Sequence, residues 1–278
     1  MTNQPKFKSE KYQQRYDQLS AMSEKLYSEL KAGNREHLLN VLKVISITPS
    51  LTVRNALVLY QQLGKAPMGL KTPAEWKKLN VSIKKGNRWL WLWEPQFYDD
   101  LKTGKKVKGR ILPSARIDIS QTNAVKPDRM DLFKVEQALI DKYGISIWNG
   151  RTTEPALKVP NTTQIVVNSD FSKKQILEAA AGQILRVAQP QNKPLTLGAM
   201  LVFRCTGSDK MLRKEIDRND SPASVELTDL KSIIGDYRKL VAECESLVKD
   251  LAKKLEKEES PPISIVDSDP EEDLPYEI

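Results

Sequence analysis

The segment Lys84–Pro95 constrains the fold of this chain more than any other stretch of its sequence. It begins with a basic turn, Lys-Lys-Gly-Asn-Arg, and continues as an alternation of tryptophan and leucine. Because successive side chains of a strand point to opposite faces, the tryptophans are predicted to share one face and the two leucines the other. The tryptophans are Trp89, Trp91 and Trp93, three of the five in the chain.

Two kinds of contact for these three rings are consistent with the pattern: the protein's own core, or the bases of a nucleic acid. A tryptophan on a strand commonly packs in the hydrophobic core. Aromatic side chains beside a cationic turn also form a typical platform for unpaired bases, and each stacked base contributes roughly 1–3 kcal/mol without a sequence preference. The alternation alone leaves both interpretations open.

Charge is distributed unevenly along the 278 residues. Residues 1–126 carry 23 Lys and Arg against 10 Asp and Glu, residues 127–255 carry 20 against 17, and residues 256–278 carry 1 against 9. The positive charge therefore belongs mainly to the part that contains the tryptophan strand. Such a surface attracts polyanions in a salt-dependent way, which favours a nucleic-acid partner for this half.

Helical spacing of apolar residues precedes the tryptophan strand. It predicts helices over Leu19–Leu30 and Leu38–Ile45. The segment Thr48–Tyr60 predicts a turn, a cap and a third helix that ends near Gly64, and a short fourth helix follows a capping box formed by Thr72 and Glu75. After the strand, a polar loop with Lys102 and residues 105–110 is predicted to lead to a second strand over 115–119. The first half should therefore be a helical part packed with a small β-sheet.

The second half is predicted to mix helices and strands and to end in a long helix. Its predicted elements are a helix over Asp131–Tyr143, strands at Ser146–Trp148 and Gln164–Val167, a helix opened by Ser172, and a long helix over residues 225–256. The long helix repeats apolar residues with a 3-4 spacing, but extra apolar positions widen the stripe beyond a coiled-coil seam. Docking onto the same chain and dimerisation are equally consistent with that pattern.

These boundaries give an expected organisation of 1–126, 127–256 and an acidic tail, 257–278, which we expect to be disordered. The tail has two open interpretations, solubilising the protein or competing with DNA for the basic groove. Cys205 and Cys244 lie far apart without metal-type spacing, and no signal peptide or apolar run of about 18 residues is visible. A cytoplasmic protein without a membrane partner is therefore expected.

Three segments, read in order, resemble the N-terminal single-stranded-DNA-binding domain of ArdC-type antirestriction proteins, which occur on plasmids and conjugative elements. They are Leu51–Gln62, then Trp76 with Lys84–Pro95, and then Ile117–Thr122. The resemblance places Leu90 and Leu92 in the core, which leaves the tryptophan face as the side with a choice of partner. It implies an α+β fold and binding of single-stranded DNA.

The resemblance continues into the second half, where the family carries a zincin-like metallopeptidase domain. Ile165–Ser172 is similar to the strand and cap that precede the family's metal-binding helix, and Leu197–Phe203 is similar to the helix that follows. The HExxH motif, in which two His bind zinc and Glu activates water, corresponds here to Ala181–Leu185, which has neither ligand nor base. His37, the only histidine, lies far away in the sequence, so no cofactor, no metal site and no enzymatic activity are expected.

The resemblance implies a single-stranded-DNA-binding protein of a mobile genetic element, such as a plasmid, conjugative element or phage. Its function would be to protect or occlude DNA, either in antirestriction or in DNA transfer. The alternative is an interaction module that binds a host or element protein through the peptidase-like domain, the long helix or the acidic tail. Lysines and arginines are expected to neutralise phosphates and tryptophans to stack on bases, although Asn55 could equally be a structural hydrogen-bonding residue. The candidate DNA-binding residues are Arg54, Asn55, Lys84, Lys85, Arg88, Trp89, Trp91, Trp93, Lys105, Lys106, Lys108 and Arg110.

Overall fold

A computed structural model describes residues 9–99, 105–190, 193–218 and 227–258 of the chain. These residues form an α+β fold with two three-stranded sheets and a long C-terminal helix, which confirms the predicted fold class. The acidic tail and Lys102 lie outside the described residues. Within the described ranges, no helix is both long enough and apolar enough to cross a bilayer.

In the first half, the described residues form four α-helices and one antiparallel sheet. Its elements are α1 (Glu10–Lys31), α2 (Arg35–Ile47), α3 (Val53–Leu63), β1 (Leu70–Lys71), α4 (Pro73–Lys78), β2 (Leu90–Asp99) and β3 (Lys106–Asp118). Local chemistry sets several boundaries: the Thr52 hydroxyl accepts the Asn55 N–H to begin α3, and Gly64 ends α3 at a φ of +71°. The predicted capping box at Thr72 and Glu75 is confirmed at the start of α4.

The β2–β3 hairpin is longer than the sequence predicts. The sheet has the order β1-β3-β2, and β2 continues past Pro95 to Asp99 while β3 already begins at Lys106. The prediction of a polar loop through residues 106–110 was therefore wrong. Backbone pairing with β2 extends the hairpin in spite of its polar composition, because strand formation depends more on context than on intrinsic propensity.

The described part of the second half comprises five α-helices and a mixed sheet. Its elements are α5 (Leu132–Tyr143), β4 (Ser146–Asn149), β5 (Ala156–Lys158), β6 (Gln164–Val167), α6 (Lys173–Ala188), α7 (Pro194–Thr206), α8 (Lys210–Arg218) and α9 (Leu227–Glu258). The sheet order is β4-β6-β5, with β4 parallel and β5 antiparallel to β6. The short elements β1, β5 and α8 were not predicted, because segments of two to nine residues carry too few apolar positions to show a period.

Helix α9 docks onto the same chain, as one of the two interpretations of its apolar stripe predicts. Six stripe residues are buried: Leu230, Ile234, Tyr237, Leu240, Val241 and Cys244. The Tyr237 hydroxyl lies 3.1 Å from the Ser46 carbonyl oxygen at the end of α2 and 3.3 Å from that of Met200 in α7. One hydrophobic core thus continues from α1 to α9, and the division of the chain near residue 126 stays a prediction.

Candidate nucleic-acid interface

The tryptophan strand presents two different faces. Leu90 and Leu92 are buried in the core, as predicted. Trp89 is 51% exposed, whereas Trp91 and Trp93 are half-buried against the edge of the core. The tryptophan face is therefore neither fully core nor fully open.

Helix α1 lies across the middle of this face. The ring of Tyr12 meets Trp91 edge-on with centroids 6.5 Å apart, and the ring of Tyr16 meets Trp93 in the same way at 5.1 Å. The guanidinium carbon of Arg15 lies 5.0 Å from the centroid of the Trp91 ring, within cation–π range. The first turns of α1 thus cover Trp91 and Trp93 and leave Trp89 accessible.

Helix α3 holds the outer edge of β2 through two carboxamides. The Asn55 side chain donates to the Trp93 carbonyl oxygen and accepts the Trp93 N–H, both at 2.8 Å. The Gln62 side chain makes the same pair of bonds with Trp91, both at 2.9 Å. Both backbone groups of each tryptophan are thereby satisfied at an otherwise open sheet edge. The buried Asn55 side chain thus makes structural hydrogen bonds to β2, as the alternative interpretation of this residue predicts.

A one-residue bulge decides which face the hairpin lysines occupy. Pro95 pairs with Ile111 and Phe97 pairs with Lys108, so Gly109 and Arg110 together oppose a single residue of β2. Side chains alternate strictly along regular strands, so this extra residue shifts Lys108 and Lys106 onto the face of Trp93 and Pro95. If Gly109 and Arg110 each paired with a residue of β2 in a regular ladder, the two lysines would lie on the opposite face.

Two open spaces flank α1 on this face. The first, which we call the proximal cleft, has a volume of about 1210 Å³ and lies around Trp89 and Trp91. Its cations come from three elements of the fold: Lys11, Arg15, Lys65 and Arg88. No Asp or Glu of the described ranges lines it. The proximal cleft therefore combines an accessible indole with four cations and no carboxylate from the described part of the chain.

The second space, which we call the distal groove, has a volume of about 870 Å³ and lies beside Trp93. It brings Arg54 of α3 and Lys108 of β3 together with Arg238 of α9, and it includes one carboxylate, Glu24. The guanidinium of Arg54 stacks on the Tyr27 ring at 4.7 Å. Arg238 donates to the carbonyl oxygens of the loop before α3, so it mainly joins α9 to the first half.

The remaining predicted cations are exposed at the ends of the hairpin. Lys84, Lys85 and Arg88 lie in the turn before β2, where Gly86 adopts a φ of +85° that favours glycine. Exposed cations at the start of β3 are Lys105, Lys106, Lys108 and Arg110. The fold thus divides these predicted cations between the two ends of the hairpin.

Lys11, Arg15 and Lys65 line the proximal cleft but were missed by the sequence reasoning. A signal for two of them exists: residues 11–16 read Lys-Tyr-Gln-Gln-Arg-Tyr, which repeats a basic-aromatic pair at a spacing of four. On a helix such pairs lie on one face. Lys65, directly after the end of α3, carries no such pattern.

In the second half, the segment that corresponds to HExxH is part of the core. Ala181 and Leu185 are buried, and Gly182 lies at the crossing of α6 and α7. A Cβ built on Gly198 of α7 would lie 2.5 Å from the Gly182 Cα, so the two helices touch through their backbones. In the described part of the chain, no three His, Cys, Asp or Glu side chains come together in a group that could hold a metal ion. His37 instead lies 2.6 Å from a Glu29 carboxylate oxygen and joins α2 to α1.

The chain is thus an α+β protein with an aromatic, cationic strand face. Two solved structures of the antirestriction protein ArdC from plasmid R388 resemble it. The metal-free structure has a TM-score of 0.37 and 11% identity over 71% of this chain and 85% of that one, and the Mn(II)-bound structure has 0.41 and 12% over 77% and 97%. No protein-family model and no curated protein matches the sequence. TM-scores below 0.5 do not assign the chain to a family.

Proposed function

We propose that this protein binds single-stranded DNA on the tryptophan face of the β2–β3 hairpin. The observation that supports this most strongly is the proximal cleft, in which a half-exposed Trp89 stands among four cations. An accessible indole offers a π-face to any unpaired base, while the surrounding cations neutralise phosphates. A duplex hides the faces of its bases, so this combination favours a single strand.

The roles of the candidate residues follow from their positions. Trp89 stacks on a base, and Lys84, Lys85 and Arg88 contact phosphates at the turn. Trp91 is shielded by Tyr12 and Arg15, so it supports the platform more than it forms it. Trp93 is shielded in the same way by Tyr16. Asn55 keeps the strand in place and makes no contact with DNA in this proposal.

Protection or occlusion of DNA on a mobile genetic element is the biological role that we propose for this binding. It rests on the sequence resemblance of Leu51–Gln62, Lys84–Pro95 and Ile117–Thr122 to the ArdC-type domain. Sequence-tolerant stacking suits such a role, because a protecting protein must coat whatever sequence is transferred.

We also propose that the second half is a peptidase-like domain without catalytic function. The position that corresponds to the catalytic glutamate is Gly182, and a Cβ there would lie 3.0 Å from the Leu195 side chain. The positions of the two histidine ligands are filled by buried Ala181 and Leu185. In this interpretation, tight packing of α6 against α7 occupies the space that a metal centre needs.

A titration of fluorescein-labelled oligo-dT and of a labelled duplex, each at two salt concentrations, tests the proposal. We expect tighter binding of oligo-dT and an affinity that falls steeply with salt. Trp89→Ala should weaken binding about fivefold or more. The matched control is Trp148→Ala, which removes an indole that is 58% exposed on the other sheet and should leave the affinity unchanged. Equal effects of the two substitutions would contradict the proposal.

A second candidate function is protein interaction through the sheet of the second half. Trp148, Val166 and Leu157 form a row across its outer face, and the first and last of these are exposed. Capture of partners from a nuclease-treated host lysate, lost with Trp148→Ala and kept with Trp89→Ala, would favour this function over DNA binding.

A further inference from the structure

Phe97 lies on the tryptophan face at the end of the hairpin remote from Trp89. It follows Trp93 and Pro95 in the alternation of β2, and it is 62% exposed. Eight residues separate it from Trp89, which corresponds to about 26 Å at the usual rise of about 3.3 Å per strand residue. The face therefore ends in an accessible aromatic ring on both sides of α1.

Phe97, like Trp89, has cations beside it on the same face. The bulge at Gly109 and Arg110 places Lys108 directly opposite Phe97, and Lys106 lies two residues before Lys108 in β3, where it pairs with Asp99. Lys108 also lines the distal groove with Arg54. Each end of the face thus combines one exposed ring with several cations, whereas α1 covers the middle.

We propose that Phe97, Lys106 and Lys108 form a second stacking site for the same DNA strand that Trp89 binds. This inference rests on the proposed function and adds a second contact region to it. The strand would run past the N-terminal turns of α1, with one base on Trp89, another on Phe97 and phosphates on the cations at both ends.

Two sites on one rigid hairpin predict a dependence of affinity on oligonucleotide length. Spanning about 26 Å takes about eight nucleotides at the 3.4 Å spacing of a duplex strand, and fewer when the strand is extended. A trinucleotide can occupy only one site at a time, whereas a dodecanucleotide can occupy both. The second contact is then intramolecular. The affinity for the dodecanucleotide should therefore exceed that for the trinucleotide by a much larger factor than the greater number of positions on the longer strand would give.

The experiment measures the fluorescence anisotropy of labelled dT3 and dT12 with the full chain and with Phe97→Ala. We expect Phe97→Ala to weaken dT12 binding about fivefold or more and to leave dT3 binding within twofold. Phe133→Ala is the matched control, because Phe133 is also 62% exposed but belongs to α5. Phe97→Trp should keep or increase the affinity for dT12. Circular dichroism checks that each variant is folded.

A third variant tests the cations of the second site. Replacing Lys106 and Lys108 by alanine should lower the slope of log affinity for dT12 against log salt by about 1.4, since each phosphate contact of a single strand contributes about 0.7. If dT12 binds with a steep salt dependence but Phe97→Ala behaves like Phe133→Ala, the second site is disproved and the proposed function stands. If neither oligonucleotide binds, the proposed function itself fails.

Discussion

The two sheets of this protein each expose a tryptophan, but in opposite chemical surroundings. Trp89 stands directly before β2 among four cations, in a cleft that no Asp or Glu of the described residues lines. Trp148 lies on the edge strand β4, and the residues that share its face of the sheet are Ser146, Gln164, Val166 and Leu157, none of them charged. An exposed indole therefore does not define a ligand by itself. The charges around it decide between a nucleic-acid strand and an apolar partner.

The sheets also differ in how firmly a helix holds their outer strands. The Asn55 side chain bonds both backbone groups of Trp93 in the first sheet, whereas in the second the side-chain oxygen of Gln183 in α6 accepts one strand N–H, that of Lys158, at 3.2 Å. We expect Asn55→Ala to lower the free energy of unfolding by about 2–4 kcal/mol, because two partly buried backbone groups lose their partner. Gln183→Ala should cost about 1 kcal/mol. Urea denaturation measures both, and equal losses would contradict the assigned difference.

Charge reversal tests whether the surroundings of the two tryptophans matter. The triple variant Lys84→Glu, Lys85→Glu, Arg88→Glu should weaken oligo-dT binding about 100-fold at low salt, since three phosphate contacts become repulsive. The control makes the same change in net charge on exposed lysines of the second half, at Lys134, Lys173 and Lys253. Anisotropy titrations should show a loss of less than about threefold for the control. Similar losses in both would mean that only the net charge of the protein attracts DNA.

Glycine substitutions probe the close crossing of α6 and α7 in the second half. Gly198→Ala should destabilise the protein by about 1–3 kcal/mol, because its Cβ cannot fit 2.5 Å from the Gly182 Cα. Gly235→Ala in α9 is the matched control: nothing lies within 4 Å of the new Cβ, and alanine should stabilise this helix by about 0.5–1 kcal/mol. Thermal unfolding gives both values, and a neutral Gly198→Ala would show that the helices are not in backbone contact.

A buried carboxyl gives the second half a pH dependence. Desolvation raises the pKa of Glu136 well above its usual value, and one of its oxygens has no hydrogen-bond partner within the described ranges. The folded state therefore holds the proton at pH values where the unfolded state has lost it, so this group makes the protein less stable as the pH rises above about 4.5. Glu136→Gln should match the natural protein near pH 4 and be more stable at pH 7. A stability difference that does not change between these pH values would contradict this assignment.

Regular periods made much of the fold predictable from the sequence. The alternation around Leu90 and Leu92 placed β2 and its buried face, and the apolar stripe of α9 gave the long helix. The bulge at Gly109 and Arg110 has no such signature, because it depends on pairing with a strand ten or more residues away. The face on which Lys106 and Lys108 lie could therefore not be predicted, nor could the cover that α1 gives to Trp91.

The bulge also means that the hairpin surface depends on residue count as well as on composition. Inserting one residue beside Gln96 would give the extra residue of β3 a partner and keep every charge and every aromatic ring of the two strands, yet it would turn Phe97, Lys106 and Lys108 to the opposite side from Trp93. Substitution alters what a surface contains, whereas this one-residue insertion alters only how its parts are arranged. A one-residue insertion in β2 is therefore a direct route by which relatives of this protein could gain or lose a cationic face without changing their net charge.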